Sequence, residues 1–342
     1  MELMHLFLDL VLPPAAIIGL FVTFPLVAFL NVMYWLLTLV RREDLRNKVV
    51  LITGASSGIG EHLAYQYAQR GARLVLSARR EEKLNHVAER ARSMGAVDTY
   101  VVVCDVAKEE NCKRLIEQTI GHYGQLNHLV LNAGVANLFL LEDAKSTEGF
   151  PIVMDTVFWG AVYPAFYALP YLRASRGRIV VVASVASWLH YPRQTFYNAA
   201  KAALVQFFDT LRSETRGIGI TIAMPGFIES EMTQGKFISE TGDASLKPKA
   251  RDEQVGPTPV LSTKACAEAI VSGAERKKHY IVVPVWYLSF LPYRLWMPEV
   301  MEWAWKVFVL PSRHSAPPSK KILDKDPMIK KTFYTPNMLK AE

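Results

Sequence analysis

Seven short runs rich in β-branched and aliphatic residues, separated by longer mixed stretches, constrain this chain more than any other feature of it. They are Lys48–Thr53 (KVVLIT), Arg73–Ser77, Thr99–Cys104, His128–Leu131, Arg178–Ala183 (RIVVVA), Ile218–Ala223 and Tyr280–Val283. Continuous apolar runs of this length read as strands buried on both faces. Helical stretches follow the first five: one reaching about Arg70, then Glu81–Met94, Ala107–Tyr123, a long one over Thr147–Ala174 with Gly160 and Pro164 inside it, and Phe196–Thr215. Strands separated by helices of about 10–20 residues predict an α/β fold with a doubly wound parallel sheet. Right-handed crossovers then place helices on both faces. Phe227–Pro259, polar and holding three prolines, interrupts the alternation and reads as an insertion or lid.

The N-terminus follows a different rule. Leu10 to Val40 is 31 residues without a charge, closed by Asp9 on one side and by Arg41 and Arg42 on the other. As one straight helix it would span roughly 46 Å, against a bilayer core of about 30 Å. Pro13, Pro14 and Pro25 interrupt it, and a mid-helix proline removes a backbone donor and kinks the chain. A hairpin or a broken helix is the expectation. A cleaved secretory signal fits poorly, because there is no basic leading region and the apolar run is too long. Glu2, His5 and Asp9 precede the run, and Arg41, Arg42, Arg46 and Lys48 follow it, so the positive-inside tendency keeps everything after Arg41 in the cytosol.

Composition narrows the classes left. With 51% hydrophobic and 21% charged residues the chain is not disordered. Its three cysteines, Cys104, Cys112 and Cys266, suit neither a disulfide scaffold nor a zinc site. His5, His62, His86, His122, His128, His190, His279 and His314 form no spaced ligand cluster, so no metal is expected. The net charge is +7; seven Lys/Arg against three Asp/Glu fall between Arg313 and Glu342. A basic tail reads as a solvated or anionic-surface element, and no nucleic-acid partner is expected.

Chemistry enters at Thr53-Gly54-Ala55-Ser56-Ser57-Gly58-Ile59-Gly60, a glycine turn between the first strand and a helix. Glycines there permit a tight turn, close backbone approach to a pyrophosphate and close helix–strand packing, while the helix N-terminus offers free N–H groups to the anion. With Tyr197-Asn198-Ala199-Ala200-Lys201, and Ser184 thirteen residues before that tyrosine, the chain resembles the short-chain dehydrogenase/reductase family. The family's turn pattern is met by Thr53, Gly54, Gly58 and Gly60, its YxxxK by Tyr197 and Lys201, and the NAG that ends its fourth strand by Asn132, Ala133 and Gly134. The resemblance covers roughly residues 47–285.

It implies a Rossmann-type sheet binding a nicotinamide cofactor. Ser56, Ser57 and Ile59 complete the turn, Asp105 takes the adenine-contacting place, and Pro225-Gly226 followed by Ser230 resembles the segment that touches the nicotinamide side. Ser184, Tyr197 and Lys201 are implied as the catalytic residues. Tyrosine is a poor acid–base at neutral pH, with a free pKa near ~10; a lysine four residues on shares its helix face, and its charge stabilises the phenolate. Tyr197 then exchanges a proton with a substrate hydroxyl or carbonyl, Ser184 hydrogen-bonds the same oxygen, and Lys201 also holds the nicotinamide ribose. After the second strand an NAD enzyme carries an acidic residue for the ribose. Here Ala78 stands in that place, followed by Arg79 and Arg80, and nothing acidic is expected to repel a phosphate there. Arginine can clamp a 2′-phosphate, so NADP(H) is the expected cofactor and Arg79 the expected clamp. One family position departs: counting back from Gly160 puts Val157 where the family has the asparagine of its proton relay. Valine offers no donor or acceptor, so slower turnover with intact cofactor binding is expected.

Within that family the chain resembles the plant 11β-hydroxysteroid dehydrogenase-like proteins called steroleosins, which sit on seed oil bodies. The shared features are the apolar N-terminus with Pro13 and Pro25 and eleven residues between them, the Phe158-Trp159-Gly160 helix and an extended C-terminus. This implies a sterol-like alcohol or ketone, a phospholipid monolayer or membrane of the lipid droplet or endoplasmic reticulum, and, by family habit, a homodimer. Trp286, Tyr287, Phe290, Tyr293, Trp296, Trp303, Trp305 and Phe308 crowd the stretch Trp286–Leu310; they read as interfacial or substrate-channel packing, or as an aromatic core or dimer contact. The expected organisation is an anchor over 1–42, a cofactor-binding domain over 43–285, and an aromatic lipid-facing segment with a basic tail over 286–342. A lipid-droplet structural or sterol-binding protein with a weakly active dehydrogenase fold is the competing expectation.

Overall fold

The computed structural model describes residues 2–40, 42–239, 241–246, 248–310, 318–325 and 327–339. Arg41 of the charge flank, and residues 311–317 of the tail with Arg313 and His314, lie outside the described residues. The chain divides into two units, Met1–Glu43 and Asp44–Glu342.

The first unit is α1 (Glu2–Val40), a single helix that carries Pro13, Pro14 and Pro25 without breaking. The expected hairpin or break is not there. Proline costs one ladder hydrogen bond, but its fixed φ near −65° is itself helical, and apolar neighbours on both sides continue the helix. At about 1.5 Å per residue its 39 residues extend roughly 58 Å. Phe21, Leu20, Phe24 and Ile17 are among its exposed apolar side chains.

In the second unit all seven expected strands form one parallel sheet in the order β3-β2-β1-β4-β5-β6-β9. These are β1 (Val49–Thr53), β2 (Arg73–Ala78), β3 (Asp98–Val103), β4 (His128–Leu131), β5 (Arg178–Val182), β6 (Gly219–Pro225) and β9 (Tyr280–Val283). Alternate β1 residues serve opposite cores. Val49 and Leu51 pack with α4 (Glu109–Tyr123), α6 (Gly160–Ser175) and α7 (Thr195–Glu214). Val50 and Ile52 pack with α2 (Gly58–Ala68), α3 (Glu81–Ser93) and α9 (Thr263–Glu275). Two buried faces explain why the strands are continuous apolar runs. No element was expected at α9; Ser262 caps it, its Oγ accepting from the Ala265 amide at 3.3 Å.

The helix expected over Thr147–Ala174 begins at Phe150 and runs as α5 (Phe150–Met154), a π-helical turn Asp155–Trp159, and α6. Gly160 does not break it. The glycine lets the helix pass Val106, whose Cγ2 would stand 2.7 Å from a Cβ there.

The insertion folds as a hairpin, β7 (Lys236–Ile238) with β8 (Ala244–Leu246), followed by α8 (Pro248–Val255). Beyond β9 come α10 (Leu291–Trp296) and α11 (Pro298–Phe308), then α12 (Pro318–Lys325), α13 (Pro327–Phe333) and α14 (Pro336–Leu339). The described part of the basic tail, expected as a solvated or anionic-surface element, buries some of its side chains. Leu323, Tyr334 and Met338 are buried against Val255 of α8; Lys330 Nζ reaches Asp252 Oδ2 at 3.0 Å, and Arg251 Nη1 donates to the Met338 carbonyl at 3.0 Å. Apolar residues spaced among the lysines give these short helices a face to bury, and the insertion supplies the surface.

Candidate active site

Strand order reverses between β1 and β4. A crevice opens at the carboxyl ends of strands at such a switch point. The loops that meet there are the glycine turn after β1 and Asn132–Gly134 after β4. Asn132 Nδ2 donates to the carbonyls of Thr53 and Gly54 at 3.2 and 3.1 Å, and Thr53 Oγ1 accepts from the Asn132 amide at 3.1 Å. Gly54 has φ +66°, and a Cβ on it would stand 2.8 Å from Ala133 Cα; one on Gly60 would stand 2.2 Å from the Gly54 carbonyl oxygen. The two loops are thus held closer than any side chain allows, which leaves a backbone-lined concavity at the start of α2. Ser57 precedes that helix without its side chain capping it, so the first-turn amides remain available to an anion.

A cleft of about 480 Å³ runs along this edge. Gly54, Ser56, Ser57, Gly58, Ile59, Arg79, Asp105, Asn132, Ala133, Gly134, Ser184, Tyr197, Lys201 and Ser230 all line it. Gly60 does not; it is buried against the Gly54 carbonyl. A backbone cradle at one end and hydroxyl and ammonium groups at the other fit a dinucleotide laid along the cleft.

Ser184 stands two residues after β5, its Oγ donating to the Pro225 carbonyl at 3.2 Å and accepting from the Ala186 amide at 3.1 Å. Tyr197 and Lys201 stand one turn apart on α7. Asn137, fully buried and unforeseen, fixes the start of that helix: its Oδ1 accepts from the Tyr197 amide at 3.0 Å, and its Nδ2 donates to the Arg193 carbonyl at 3.2 Å. Lys201 Nζ lies 5.7 Å from the Tyr197 ring centre and donates to the Val182 carbonyl at 2.7 Å. Burial pushes the Tyr197 phenol up to about 12, against a smaller downward pull from the Ser184 hydrogen bond. Burial also brings the Lys201 ammonium down to about 7. In the protein alone, then, burial is the main cause at both groups and moves each away from its charged form.

Val157 lies in the π-helical turn, 1% exposed, packed with Val153 and Ala200 and against Phe196 and Tyr197. A Cβ on Gly134 would stand 3.8 Å from Val157 Cγ2 and 3.9 Å from Lys201 Nζ, so the valine and the lysine flank the same glycine. Thr156, its neighbour, lines the cleft.

At the β2 end Arg79 lines the cleft and is exposed, while Arg80 contacts the turn: its Nη2 donates to Ser57 Oγ at 2.7 Å and Ser56 Oγ at 3.1 Å. One expectation needs correction: the place is not free of acidic groups. Glu231 arrives from the insertion, its Oε1 2.8 Å from Arg80 Nη1. No local pattern signals a pair 151 positions apart.

A recess of about 50 Å³ adjoins Ser184 and Tyr197, walled by Tyr191, Phe227, Met232, Phe237 and Val255. Tyr191 packs on Phe227 and Trp305 with ring centres 5.2 and 5.0 Å apart. The C-terminal aromatics therefore divide: Tyr287 and Trp305 face inward with Met301, while Trp296 and Trp303 are exposed.

The geometry agrees with the comparisons. The model of the family described as short chain dehydrogenase matches residues 48–240. An 11-beta-hydroxysteroid dehydrogenase of Pinus massoniana is 50% identical over 311 residues, 91% of this chain and 87% of that protein. The 11-beta-hydroxysteroid dehydrogenase 1A of Arabidopsis thaliana is 44% identical over 338 residues, 98% of this chain and 97% of that one. A short chain dehydrogenase/reductase from Burkholderia phymatum, solved in complex with NAD, shares the fold at TM-score 0.65 and 23% identity, over 76% of this chain and 96% of its own. An alcohol dehydrogenase from Thermococcus sibiricus, complexed with 5-hydroxy-NADP, does so at TM-score 0.59 and 24% identity, over 70% and 96%. The match across the whole cofactor-binding core and the near full-length likeness to plant relatives make this chain a member of the short-chain dehydrogenase/reductase family of oxidoreductases.

Proposed function

We propose that the chain is a membrane- or lipid-droplet-anchored, NADP(H)-dependent oxidoreductase that interconverts a hydroxyl and a carbonyl on a hydrophobic, sterol-like substrate. The observation that carries this reading is the convergence of Ser184, Tyr197 and Lys201 on one cleft edge, beside a recess walled by aromatic and aliphatic side chains. A nicotinamide bound along the cleft supplies or accepts the hydride. The Tyr197 hydroxyl gives its proton to the substrate oxygen in reduction and takes it back in oxidation, while Ser184 Oγ hydrogen-bonds that oxygen and orients it. Lys201 brings positive charge to the tyrosine side of the site and, in this reading, grips the ribose hydroxyls. Arg80 on the serines of the turn supports the preference for NADP(H); Arg79 stands beside it at the cleft mouth. The names of the plant relatives support a steroid-like substrate.

For localisation, the apolar α1 supports anchoring to a lipid droplet or endoplasmic-reticulum membrane, and Arg42, Arg46 and Lys48 after it support a cytosolic catalytic unit. Exposed Trp159, Phe166 and Tyr171 on the α5–α6 helix support a homodimer.

A second reading, a lipid-droplet structural or sterol-binding protein of weak activity, is favoured by one observation: Val157 fills the relay position with an aliphatic side chain. Turnover of the purified protein with NADPH on a panel of steroid ketones separates the two. Measurable reduction, lost by ~10²–10⁴-fold in Tyr197→Phe with NADPH binding retained, supports the enzyme. NADPH binding without turnover on steroids or fatty alcohols supports the alternative.

A further inference from the structure

Three cations converge on one carboxylate at the adenosine end of the cleft. Glu231 Oε1 lies 2.8 Å from Arg80 Nη1 and 3.1 Å from Lys83 Nζ, and Oε2 lies 2.7 Å from Lys236 Nζ. The far side of the Arg80 guanidinium rests on Ser57 Oγ and Ser56 Oγ. The cluster joins the glycine turn, the start of α3 and the insertion, just past Ala78, where β2 ends. That strand end is where fold geometry brings the adenosine ribose.

We propose that Glu231 sets how strongly this site prefers a phosphate-bearing dinucleotide, by occupying in the free protein the cations that a 2′-phosphate takes. The inference rests on the NADP(H) reading above and adds to it a residue that works against binding. A carboxylate brings one charge and two oxygens. A phosphate monoester brings about −1.5 to −2 and three acceptor oxygens, and Arg80 can meet it bidentately. The phosphate therefore displaces the carboxylate, at a cost in affinity, whereas a neutral ribose hydroxyl leaves the cluster as it is. The cations hold Glu231 firmly charged: burial raises its pKa, but hydrogen bonds from Lys236, Arg80 and Lys83 outweigh this and lower it to about 2. The competition consequently persists across the physiological pH range. Partial exposure of all four side chains screens the effect and sets a modest size.

The test is calorimetric titration of the full chain in detergent micelles with adenosine 2′,5′-bisphosphate and with 5′-AMP, which isolates the 2′-phosphate from the nicotinamide and needs no turnover. Wild type is expected to favour the bisphosphate. Glu231→Gln is expected to bind the bisphosphate about five- to tenfold more tightly and 5′-AMP within twofold of wild type. Glu231→Ala should shift in the same direction, so the result does not hang on one variant. Adding Arg80→Ala should abolish the gain. Unchanged or weaker bisphosphate binding in both Glu231 variants, with wild type still favouring the bisphosphate, would overturn the proposal while sparing the NADP(H) reading. A wild type that does not distinguish the two ligands would overturn both.

Discussion

Tyr197 and Lys201 are desolvated together, and burial moves each away from its charged form. For Lys201 this has a thermodynamic consequence. Its pKa is near 7 in the folded protein against 10.5 ordinarily, so between those values the unfolded chain holds a proton that the folded chain does not. The stability of the cofactor-free protein therefore rises with pH across that window, by at most ~1.4 kcal/mol per pH unit. Below pH 7 the full cost of burying the ammonium remains. Lys201→Met removes the titrating group, so its urea midpoint should exceed that of wild type at pH 6, and the difference should shrink toward pH 9. A parallel pH dependence in the two proteins would show that Lys201 is not the source. Val157 makes a second residue-scale case. Val157→Asn sets an amide among Val153, Ala200 and Phe196, and an unsatisfied buried amide costs ~1–3 kcal/mol. The expected variant melts earlier but, where it folds, shows a higher kcat from the restored polar anchor, with the NADPH dissociation constant within about twofold of wild type. An unchanged kcat in a folded variant would mean that the proton travels by another route.

Elements explain what was legible in the sequence and what was not. Tyr197 and Lys201 are four residues apart, and a helix converts that spacing directly into a shared face. Thr53, Gly54, Gly58 and Gly60 are equally local. The strands were legible because two buried faces force continuous apolar runs, and all seven entered one sheet. What was missed depends on distant partners: the Arg80–Glu231 pair, Asn137 at the head of α7, and the burial of the tail on α8. The π-helical turn has no composition of its own to announce it, and the unbroken α1 shows that proline marks a helix break less reliably than its chemistry suggests. At the turn the elements meet so closely that one methyl group tests them. Gly60→Ala would set a Cβ 2.2 Å from the Gly54 carbonyl oxygen and 2.5 Å from Asn132 Nδ2. Neither is the loose end of a flexible chain, so the turn must open. NADPH binding, followed by fluorescence, should weaken at least tenfold and the melting temperature should fall. Full-strength binding would show that the β1 and β4 loops can separate without harm.

On the scale of the whole molecule, the two units obey different solvents. Asp44–Glu342 carries a core on each face of its sheet, and that suffices for folding in water. Among its described side chains, the helix Glu2–Val40 exposes its large apolar ones, and a surface of that kind is stable only against lipid or another apolar body. At roughly 58 Å it is about twice the thickness of a bilayer core, so a perpendicular span cannot cover it. A helix lying oblique to the surface does so, on a monolayer or a bilayer alike. The catalytic unit has an apolar surface of its own, with Leu295, Trp296 and Trp303 exposed on α10 and α11, but Arg294, Glu299, Glu302 and Lys306 on the same helices bar deep insertion. The long helix should therefore supply most of the membrane affinity, and the aromatic helices a weaker interfacial contact. Deleting residues 1–42 should leave a folded protein that binds NADPH as the full chain does and moves from the floating lipid fraction to the soluble one. Substituting Trp296 and Trp303 with serine in the full chain should leave it with the lipid. The reverse pattern, a truncated protein that still floats and a full chain released by the two serines, would transfer the anchor to the C-terminal helices. A glycosylation acceptor engineered into the loop before α4 should stay unmodified in cells if the basic flank after α1 keeps the second unit in the cytosol, as proposed; its modification would reverse that orientation.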